Sequence, residues 1–496
     1  MTAQPAMQSG SERRRAGGGR RGRGTAERQT APAPAFIERK IPFFDFLSED
    51  QVEAILGEAD WMLEVKGIEF RDNPEALRRL ADAGADVSDC CVRNPDRSVR
   101  IGGRNQVFAS MYGAPFVRDA GGERRYGSMA DFNQLAKILH RLPHVHHLGH
   151  VICEPVDVPV NKRHLDMVYS LMTTSDKPFL GAITEKDRAQ DSVNMARILF
   201  GEDRMERDTV IMGNVNTNSP LKLDSPMGHG IIQHALHGQI SVITPFTLAG
   251  AMAPVTLAGA LAQQNAEFLA GLTLAQCAKP GAPVIYGGFT SNVDMKSGAP
   301  AFGTPEYVKA VQAGGQLTRR YGVPYRSSGV CAANMPDAQA ALETQMSLWG
   351  TMTGGADMVM HAAGWMEGGL SASFEKMVMD ADMIQMLQAY MQPIEVSEAT
   401  LGLDAIAEVG PGGHFFGTPQ TMERFETAFY APMLSDWRNF ETWAEDGSKT
   451  AYERANTLYK QLLAEYQEPA IDEATRDALN DFVDRRIAEG GSFDDD

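Results

Sequence analysis

The feature that most constrains the fold is an arrangement repeated along the middle of the chain. A short run of β-type residues ends on small, polar or histidine residues, and a longer helix-compatible stretch follows it. Such runs begin near residues 146, 178, 209, 240, 283, 324, 356 and 405. A spacing of roughly 30 to 50 residues accommodates one strand and one crossover helix, the repeating unit of a parallel sheet. Eight units predict an α/β protein whose sheet closes into a TIM (β/α)8 barrel.

A doubly wound open sheet is the alternative, but no G-x-G-x-x-G sequence follows a predicted strand, so its nucleotide-binding form has no support. The flanking sequences set the domain limits. We expect a disordered basic tail over residues 1–35, a helical segment and a β-hairpin or lid over 36–140, and the barrel over 141–419. Acidic, amphipathic sequence over 420–496 predicts C-terminal helices that pack on the barrel.

Charge and composition exclude several classes of function. The net charge is −18, and residues 1–40 carry nine Lys/Arg against three Glu, so the remaining chain carries −24. A body this acidic repels nucleic acid and anionic membrane surfaces. No window reaches the roughly 18 apolar residues of a membrane span. Five cysteines without paired spacing argue against a disulfide framework. We therefore expect a cytoplasmic protein with no nucleic-acid or membrane partner.

The candidate site residues follow from the predicted barrel, because active sites of such barrels lie at the carboxyl ends of the strands. Polar residues that close or adjoin the runs include Asn214, His237, His361 and Glu367. This set is rich in amides, hydroxyls and imidazoles and poor in paired carboxylates, which makes glycosidase-type chemistry a weak interpretation. No serine elbow or zinc signature is present.

Aromatic residues near the run ends predict a second property of the pocket. Their ring faces attract a quaternary ammonium group through cation–π contact. The candidates for this wall are Tyr112, Phe246, Tyr286, Phe302, Trp365 and Phe415.

One histidine cluster raises the question of a metal. His144, His146, His147 and His150 lie close together, with Cys153 following. Neighbours in a β-type run point to opposite faces, so only about two of these imidazoles can share one centre. We favour a structural role and expect no tightly bound metal.

Several motifs, in one order, resemble the trimethylamine methyltransferase family of corrinoid-dependent methyltransferases. They are GAPFVRD with ERRYG, HLDMVYSLMTTSDKP, TPFTLAGAMAPVTLAGALAQQNAEFLAG, SGAPAFGTPE and SSGVCAANMPDAQAALE. The resemblance extends from about residue 40 to the C-terminus. It implies a TIM barrel that moves a methyl group from a methylated amine to Co(I) of a cobalamin carried by a separate corrinoid protein. It also favours a homo-oligomer.

The chain departs from that family at one informative position. Related archaeal enzymes carry pyrrolysine where Val330 stands here, and valine has no imine electrophile. The sequence is therefore similar to the non-pyrrolysine branch, some members of which demethylate glycine betaine or related betaines. A quaternary amine is already cationic and leaves as a neutral tertiary amine without prior protonation, so positioning supplies most of the rate.

The residue roles implied by this resemblance are hypotheses. His361 is placed near the cobalt face, and Glu367, Asn214 and His237 at the polar end of the substrate. The cation wall uses Trp365, Tyr286, Phe246, Tyr112 and Phe415, and Asp119 is a further binding candidate. Trimethylamine, or a sulfonium such as dimethylsulfoniopropionate, remains an alternative donor, and an osmolyte-binding scaffold is the non-enzymatic alternative.

Overall fold

Eight extended segments run parallel and form the centre of the computed structural model. It describes residues 37–38, 42–83, 86–88, 91–93, 105–118 and 123–492, all within the unit Pro34–Asp496. Six of the segments are strands. The other two are short stretches at His147 and Leu180, which form single β-bridges with Ala109 and Met212. The strands are Asn105–Phe108, Met212–Thr217, Ile240–Pro245, Val284–Gly287, Tyr325–Ser328 and Met358–Met360.

The sheet closes on itself. Strand Met358–Met360 pairs in parallel with Asn105–Phe108, which continues to a bridge between Ala109 and His147. The Leu180 amide donates to the Gly149 carbonyl at 2.9 Å, and Leu180 bridges to Met212. These contacts join the first strand to the last, so the predicted (β/α)8 barrel is confirmed.

A helix follows each of the eight segments and covers the outside of the barrel. Apolar residues fill the layer between helices and strands, and this layer forms the main hydrophobic core. In chain order the barrel helices are Met129–Arg141, Val160–Thr174, Lys186–Phe200, Ser225–Leu236, Leu257–Ala278, Pro305–Tyr321, Ala338–Gly354 and Phe374–Tyr390.

Two sequence expectations about the barrel limits were wrong. The run near residue 405 is helix Leu403–Val409, because a short apolar run does not distinguish a strand from a helix by periodicity. The missing strand is Asn105–Phe108, which we had assigned to a hairpin or lid. The barrel therefore extends from residue 105 to about residue 390 rather than over 141–419.

The segments outside the barrel are helical at both ends of the described chain. The helix Glu49–Trp61 begins after Ser48, whose side chain caps it by accepting from the Gln51 amide. It continues into a π-helical turn, Met62–Lys66, and a short helix, Glu202–Arg207, lies between two barrel elements. The remaining helices are Pro74–Asp82, Glu398–Leu401, Leu403–Val409, Pro419–Arg424, Phe440–Glu445, Ala451–Ala464 and Glu473–Ala488. The predicted disordered tail, 1–35, lies outside the described residues.

Small sheets built from the loops extend over the carboxyl ends of the barrel strands. One contains Phe116–Arg118, Arg125–Tyr126, Trp365–Met366 and Ser371–Ser373, and thus joins the loops after the first and the last strand. The others contain Leu248–Ala249, Ser291–Val293 and Pro300–Ala301, and Ile68–Phe70, Asp86–Ser88, Cys91–Arg93 and Lys222–Leu223. Strand Ile37–Glu38 pairs antiparallel with the first barrel strand. Within the described ranges, no helix is long and apolar enough to cross a bilayer.

A buried ion pair fixes the loop after the last strand. The Lys376 Nζ lies 2.7 Å from Asp380 Oδ1, and both side chains are 3% exposed. Asp380 Oδ2 also accepts from the Gly364 amide at 2.8 Å. Breaking such a pair leaves one charge buried without compensation.

We expect Asp380→Ala to lower the free energy of unfolding by about 3 kcal/mol, because it strands the Lys376 ammonium. The matched control is Asp82→Ala, which removes an i,i+4 pair with Arg78 whose side chains are 67% and 63% exposed. Urea unfolding of both variants measures the difference. Equal shifts of the two midpoints would contradict a special role for the buried pair.

Candidate functional site

Alternation along the strands sends polar side chains to one end of the barrel interior. Asn214 and Asn216, on strand Met212–Thr217, are linked by a hydrogen bond of 3.0 Å, and Thr244 donates to Asn214 at 2.9 Å. Met212, two residues before Asn214, instead lines an apolar cavity at the amino end with Val107. Polar chemistry is therefore concentrated at the carboxyl end, as the barrel fold predicts.

A cavity of about 280 Å³ opens at this carboxyl end, on the side of the first four segments. Asn214, Asn216 and Tyr112 are among the residues that line it. Charged side chains from the surrounding loops and helices, Glu154, Arg163 and Arg188, complete the lining together with the buried His164. A cavity of this size is suited to a small-molecule ligand.

A group of aromatic side chains surrounds His361, and Tyr112 from the cavity lining belongs to this group. The His361 ring centroid lies 5.0 Å from that of Trp365, 5.4 Å from Phe289 and 6.3 Å from Tyr112. Phe289 stacks on Phe246 at 5.1 Å. Phe302 contacts both Trp365, at 5.2 Å, and Phe289, at 5.8 Å. We call Tyr112, Phe246, Phe289, Phe302, His361 and Trp365 the ring cluster.

His361 occupies the centre of the ring cluster in a strained backbone conformation, with φ of 54°. Its Nδ1 lies 2.9 Å from Ser328 Oγ and 3.4 Å from Arg326 Nη2. A guanidinium can only donate, so Nδ1 accepts and the proton of the neutral ring is on Nε2. Burial and the Arg326 charge hold the pKa of His361 well below its usual range. The imidazole is therefore neutral at physiological pH and does not serve as a proton donor.

Arg326 is a component of the site that the sequence interpretation missed. Its side chain points into the barrel, is 1% exposed, and places the guanidinium carbon 5.1 Å from the Phe289 ring centroid. Its Nε and Nη1 have no hydrogen-bond partner in the described structure. Burial lowers the pKa of Arg326 to about 10, which still leaves it charged at neutral pH. The sequence signal that could have identified it is the position of this arginine in the middle of a buried β-run, PYRSSGV.

Glu367 lies in the loop after the last strand, next to the ring cluster through Trp365–Met366. The Arg124 Nη1 donates to its Oε2 at 2.8 Å, and its side chain is 8% exposed. Its φ is 53°, so it shares with His361 a conformation that non-glycine residues rarely adopt. Positive φ at two non-glycine residues of one loop is costly, so contacts with the surrounding structure must stabilise the conformation of this loop.

Three expected site residues are placed elsewhere, and a fourth is not described. Tyr286 faces the outer helices, where its hydroxyl accepts from Gln264 at 3.1 Å, because its neighbour Ile285 on strand Val284–Gly287 takes the inward position. His237 precedes strand Ile240–Pro245 and lies at the amino end of the barrel. Phe415 is 46% exposed in the loop after helix Leu403–Val409. Asp119 lies outside the described residues.

Val330 follows strand Tyr325–Ser328 and is completely buried in the main hydrophobic core. Its carbonyl accepts from Ser347 Oγ at 2.8 Å. Valine at this position contributes packing and no electrophile.

The histidine cluster is integrated into the barrel wall. The Gln388 amide contacts both His144, at 2.7 Å, and His146, at 3.3 Å, and His147 Nδ1 accepts from the Gly149 amide at 3.0 Å. His150 lines the cavity. Within the described ranges, no group of three His, Cys, Asp or Glu side chains has the arrangement of a metal site.

Comparison with known proteins identifies the family. The model of the family described as trimethylamine methyltransferase (MTTB) matches residues 13–94 and 89–491. The chain belongs to this family. It is 38% identical over 475 residues to the glycine betaine methyltransferase of Desulfitobacterium hafniense. The aligned stretch covers 91% of this chain and 99% of that protein. The family resemblance drawn from the motifs is thereby confirmed, and the protein is a methyltransferase.

Other family members match over a shorter stretch. A trimethylamine methyltransferase of Methanosarcina mazei is 36% identical over 276 residues, which is 55% of either chain. Among solved structures, the crystal structure of the Methanosarcina barkeri monomethylamine methyltransferase matches with a TM-score of 0.47 and 11% identity, over 86% of this chain and 90% of that chain.

We expect His361→Ala to reduce methyl transfer about 10²-fold, because the ring cluster loses the side chain that spaces Tyr112, Phe289 and Trp365. The matched control is His234→Ala, which also removes a completely buried imidazole but one bonded to the Ile240 carbonyl at the amino end. Single-turnover rates and melting temperatures of both variants separate catalysis from folding. Wild-type turnover in His361→Ala would remove His361 from the mechanism.

Proposed function

We propose that this methyltransferase moves a methyl group from glycine betaine, or a closely related quaternary amine, to Co(I) of a corrinoid carried by a separate protein. The observation that carries the proposal is the ring cluster at the carboxyl end of the barrel. Its ring faces attract an onium group, and no Asp or Glu is among its six members. The full-length similarity to a glycine betaine methyltransferase supports the same substrate class.

The chemistry required of the chain is modest and agrees with the side chains present. Direct in-line displacement transfers the methyl group, and a quaternary amine leaves as a neutral tertiary amine. No proton has to be delivered to that leaving group, which is consistent with a neutral His361 whose pKa lies well below its usual range. When the corrinoid protein docks, its Co(I) supplies the nucleophile. The ring cluster orients the onium so that one N-methyl group faces the barrel opening, and exclusion of water preserves this alignment.

The same residues argue against trimethylamine as the preferred donor. Val330 carries no electrophile, and its carbonyl is occupied by Ser347. Unprotonated trimethylamine would have to gain a proton before dimethylamine could leave as a neutral amine, and the neutral His361, whose Nδ1 accepts from Ser328 and Arg326, does not deliver one.

A donor panel tests the proposal. The full-length protein, a reduced corrinoid protein and each of glycine betaine, carnitine, proline betaine, dimethylsulfoniopropionate and trimethylamine are mixed, and methylation is followed by the absorbance of the corrinoid. We expect transfer from glycine betaine or a related betaine at a rate at least about tenfold above that from trimethylamine. Activity on trimethylamine alone would contradict the proposal. Binding of betaine without transfer to a competent corrinoid partner would favour an osmolyte-binding scaffold.

We also propose that the protein forms a homo-oligomer through the segment 394–440. Large apolar side chains are exposed there, among them Ile394 at 90%, Phe416 at 83% and Phe429 at 86%. Exposed apolar patches of this kind are typical of protein–protein contacts. The acidic net charge of the body keeps it apart from nucleic acid, and a second copy or the corrinoid protein is the partner that remains.

Light scattering after gel filtration tests the oligomer, with Phe429→Glu as the disrupting change. A buried glutamate in an apolar contact is costly, so we expect the variant to shift to a smaller species. Asp481→Glu, on the surface helix Glu473–Ala488, is the control that should leave the mass unchanged. A monomeric wild type would refute the homo-oligomer and leave the corrinoid protein as the occupant of this surface.

A further inference from the structure

We propose that the Arg326 guanidinium binds the carboxylate of a zwitterionic methyl donor, and that this contact selects betaines over quaternary amines without a carboxylate, such as choline. The inference deepens the proposed function and rests on it for the identity of the donor. It assigns the carboxylate to a residue other than His237, which the sequence placed at the polar end of the substrate. His237 lies at the amino end of the barrel.

The Arg326 guanidinium carries a buried charge that its described neighbours compensate only in part. Its side chain is 1% exposed, yet Nε and Nη1 have no hydrogen-bond partner. In the part of the chain that the structure describes, no Asp or Glu forms an ion pair with it, whereas the buried Lys376 is paired with Asp380. Burying an unpaired charge is costly, so such a group is retained where a ligand completes it.

The chemistry of the ligand follows from the geometry of the guanidinium. Its planar group presents N–H donors in a fixed fork that matches the two oxygens of a carboxylate. The single polar side-chain contact of this group, from Nη2 to His361 Nδ1, is long at 3.4 Å. The remaining donors are therefore available to an acceptor supplied from outside the chain, and the two oxygens of a carboxylate match their geometry.

The spacing between the two charges of the ligand follows from the neighbours of Arg326. The guanidinium carbon lies 5.1 Å from the Phe289 ring centroid, and Phe289 adjoins His361 and Phe246 in the ring cluster. A carboxylate on Arg326 thus places the rest of the ligand directly against the ring cluster. In glycine betaine one methylene joins the carboxylate to the trimethylammonium group, which suits adjacent sites for the two charges. Choline has the same cationic end and no carboxylate.

Tyr112 connects this anchor with the open cavity. It lines the cavity, contacts the His361 ring, and lies close enough to the Arg326 charge to oppose the burial that raises its own pKa to about 12. Tyr112 is therefore the side chain of the cavity lining that adjoins both His361 and Arg326. The phenol stays neutral, so it adds no competing negative charge.

A purely structural Arg326, holding Phe289 by its cation–π contact, is the opposing explanation. Arg319 provides a matched control, because its guanidinium carbon lies 4.4 Å from the Phe43 ring centroid on the outside of the barrel. Replacement of either arginine by methionine removes a cation–π contact. Only the Arg326 replacement removes a candidate carboxylate donor.

Ligand-induced thermal shifts and isothermal titration calorimetry with the full-length protein test the anchor without any corrinoid. We expect glycine betaine, but not choline, to raise the melting temperature of the wild type and of Arg319→Met. Arg326→Met should lose this shift and bind glycine betaine at least about 10²-fold more weakly. Its own melting temperature should equal or exceed that of the wild type, because an uncompensated buried charge is removed. Arg326→Lys should restore little binding, since an ammonium lacks the planar fork.

The outcomes separate the anchor from the proposed function. Unchanged affinity of Arg326→Met for glycine betaine, or equal binding of choline and glycine betaine by the wild type, overturns the anchor. Tight binding through Arg326 without methyl transfer to a competent corrinoid protein supports the anchor and refutes the proposed function. Wild-type kcat/KM for glycine betaine in Arg326→Met supports the function and refutes the anchor.

Discussion

Closure of eight parallel segments into one barrel is the constraint on which the rest of the structure depends. Each strand alternates inward and outward side chains, and closure brings every inward set to a common axis. On strand Met212–Thr217 the inward set is Met212, Asn214 and Asn216. Met212 lines an apolar cavity at the amino end, whereas Asn214 and Asn216 line the cavity at the carboxyl end. On strand Tyr325–Ser328 it sends Arg326 and Ser328 toward His361 while Tyr325 bonds to the Val311 carbonyl of an outer helix.

The electrostatic character of the centre follows from this geometry. Desolvation disfavours charge, so the central imidazole is neutral and the phenol of Tyr112 stays protonated. Arg326 is the exception, since a guanidinium remains charged even when buried. A site with ring faces and one uncompensated cation is suited to a ligand that carries both charges.

Particular residues show how far the sequence could predict the fold and the site. The strand–helix repeat identified seven of the eight segments. Asn105–Phe108 escaped notice because its neighbouring glycines are also typical of a hairpin. The ring cluster contains Tyr112, Phe246, Phe302, His361 and Trp365, all named from their positions near run ends. Phe289 was missed although it follows directly after a glycine pair at such an end.

By itself the sequence determined the class of fold, the family and the aromatic, acid-poor character of the strand ends. Periodicity and motif order are local properties that a single chain displays without being folded. Only the tertiary structure decided which of those side chains share one space. Tyr286 and Arg326 both lie in short buried runs, yet one faces the helices and the other the barrel axis. Register and closure set that direction, and a shift of one residue would exchange inward for outward side chains along the strand.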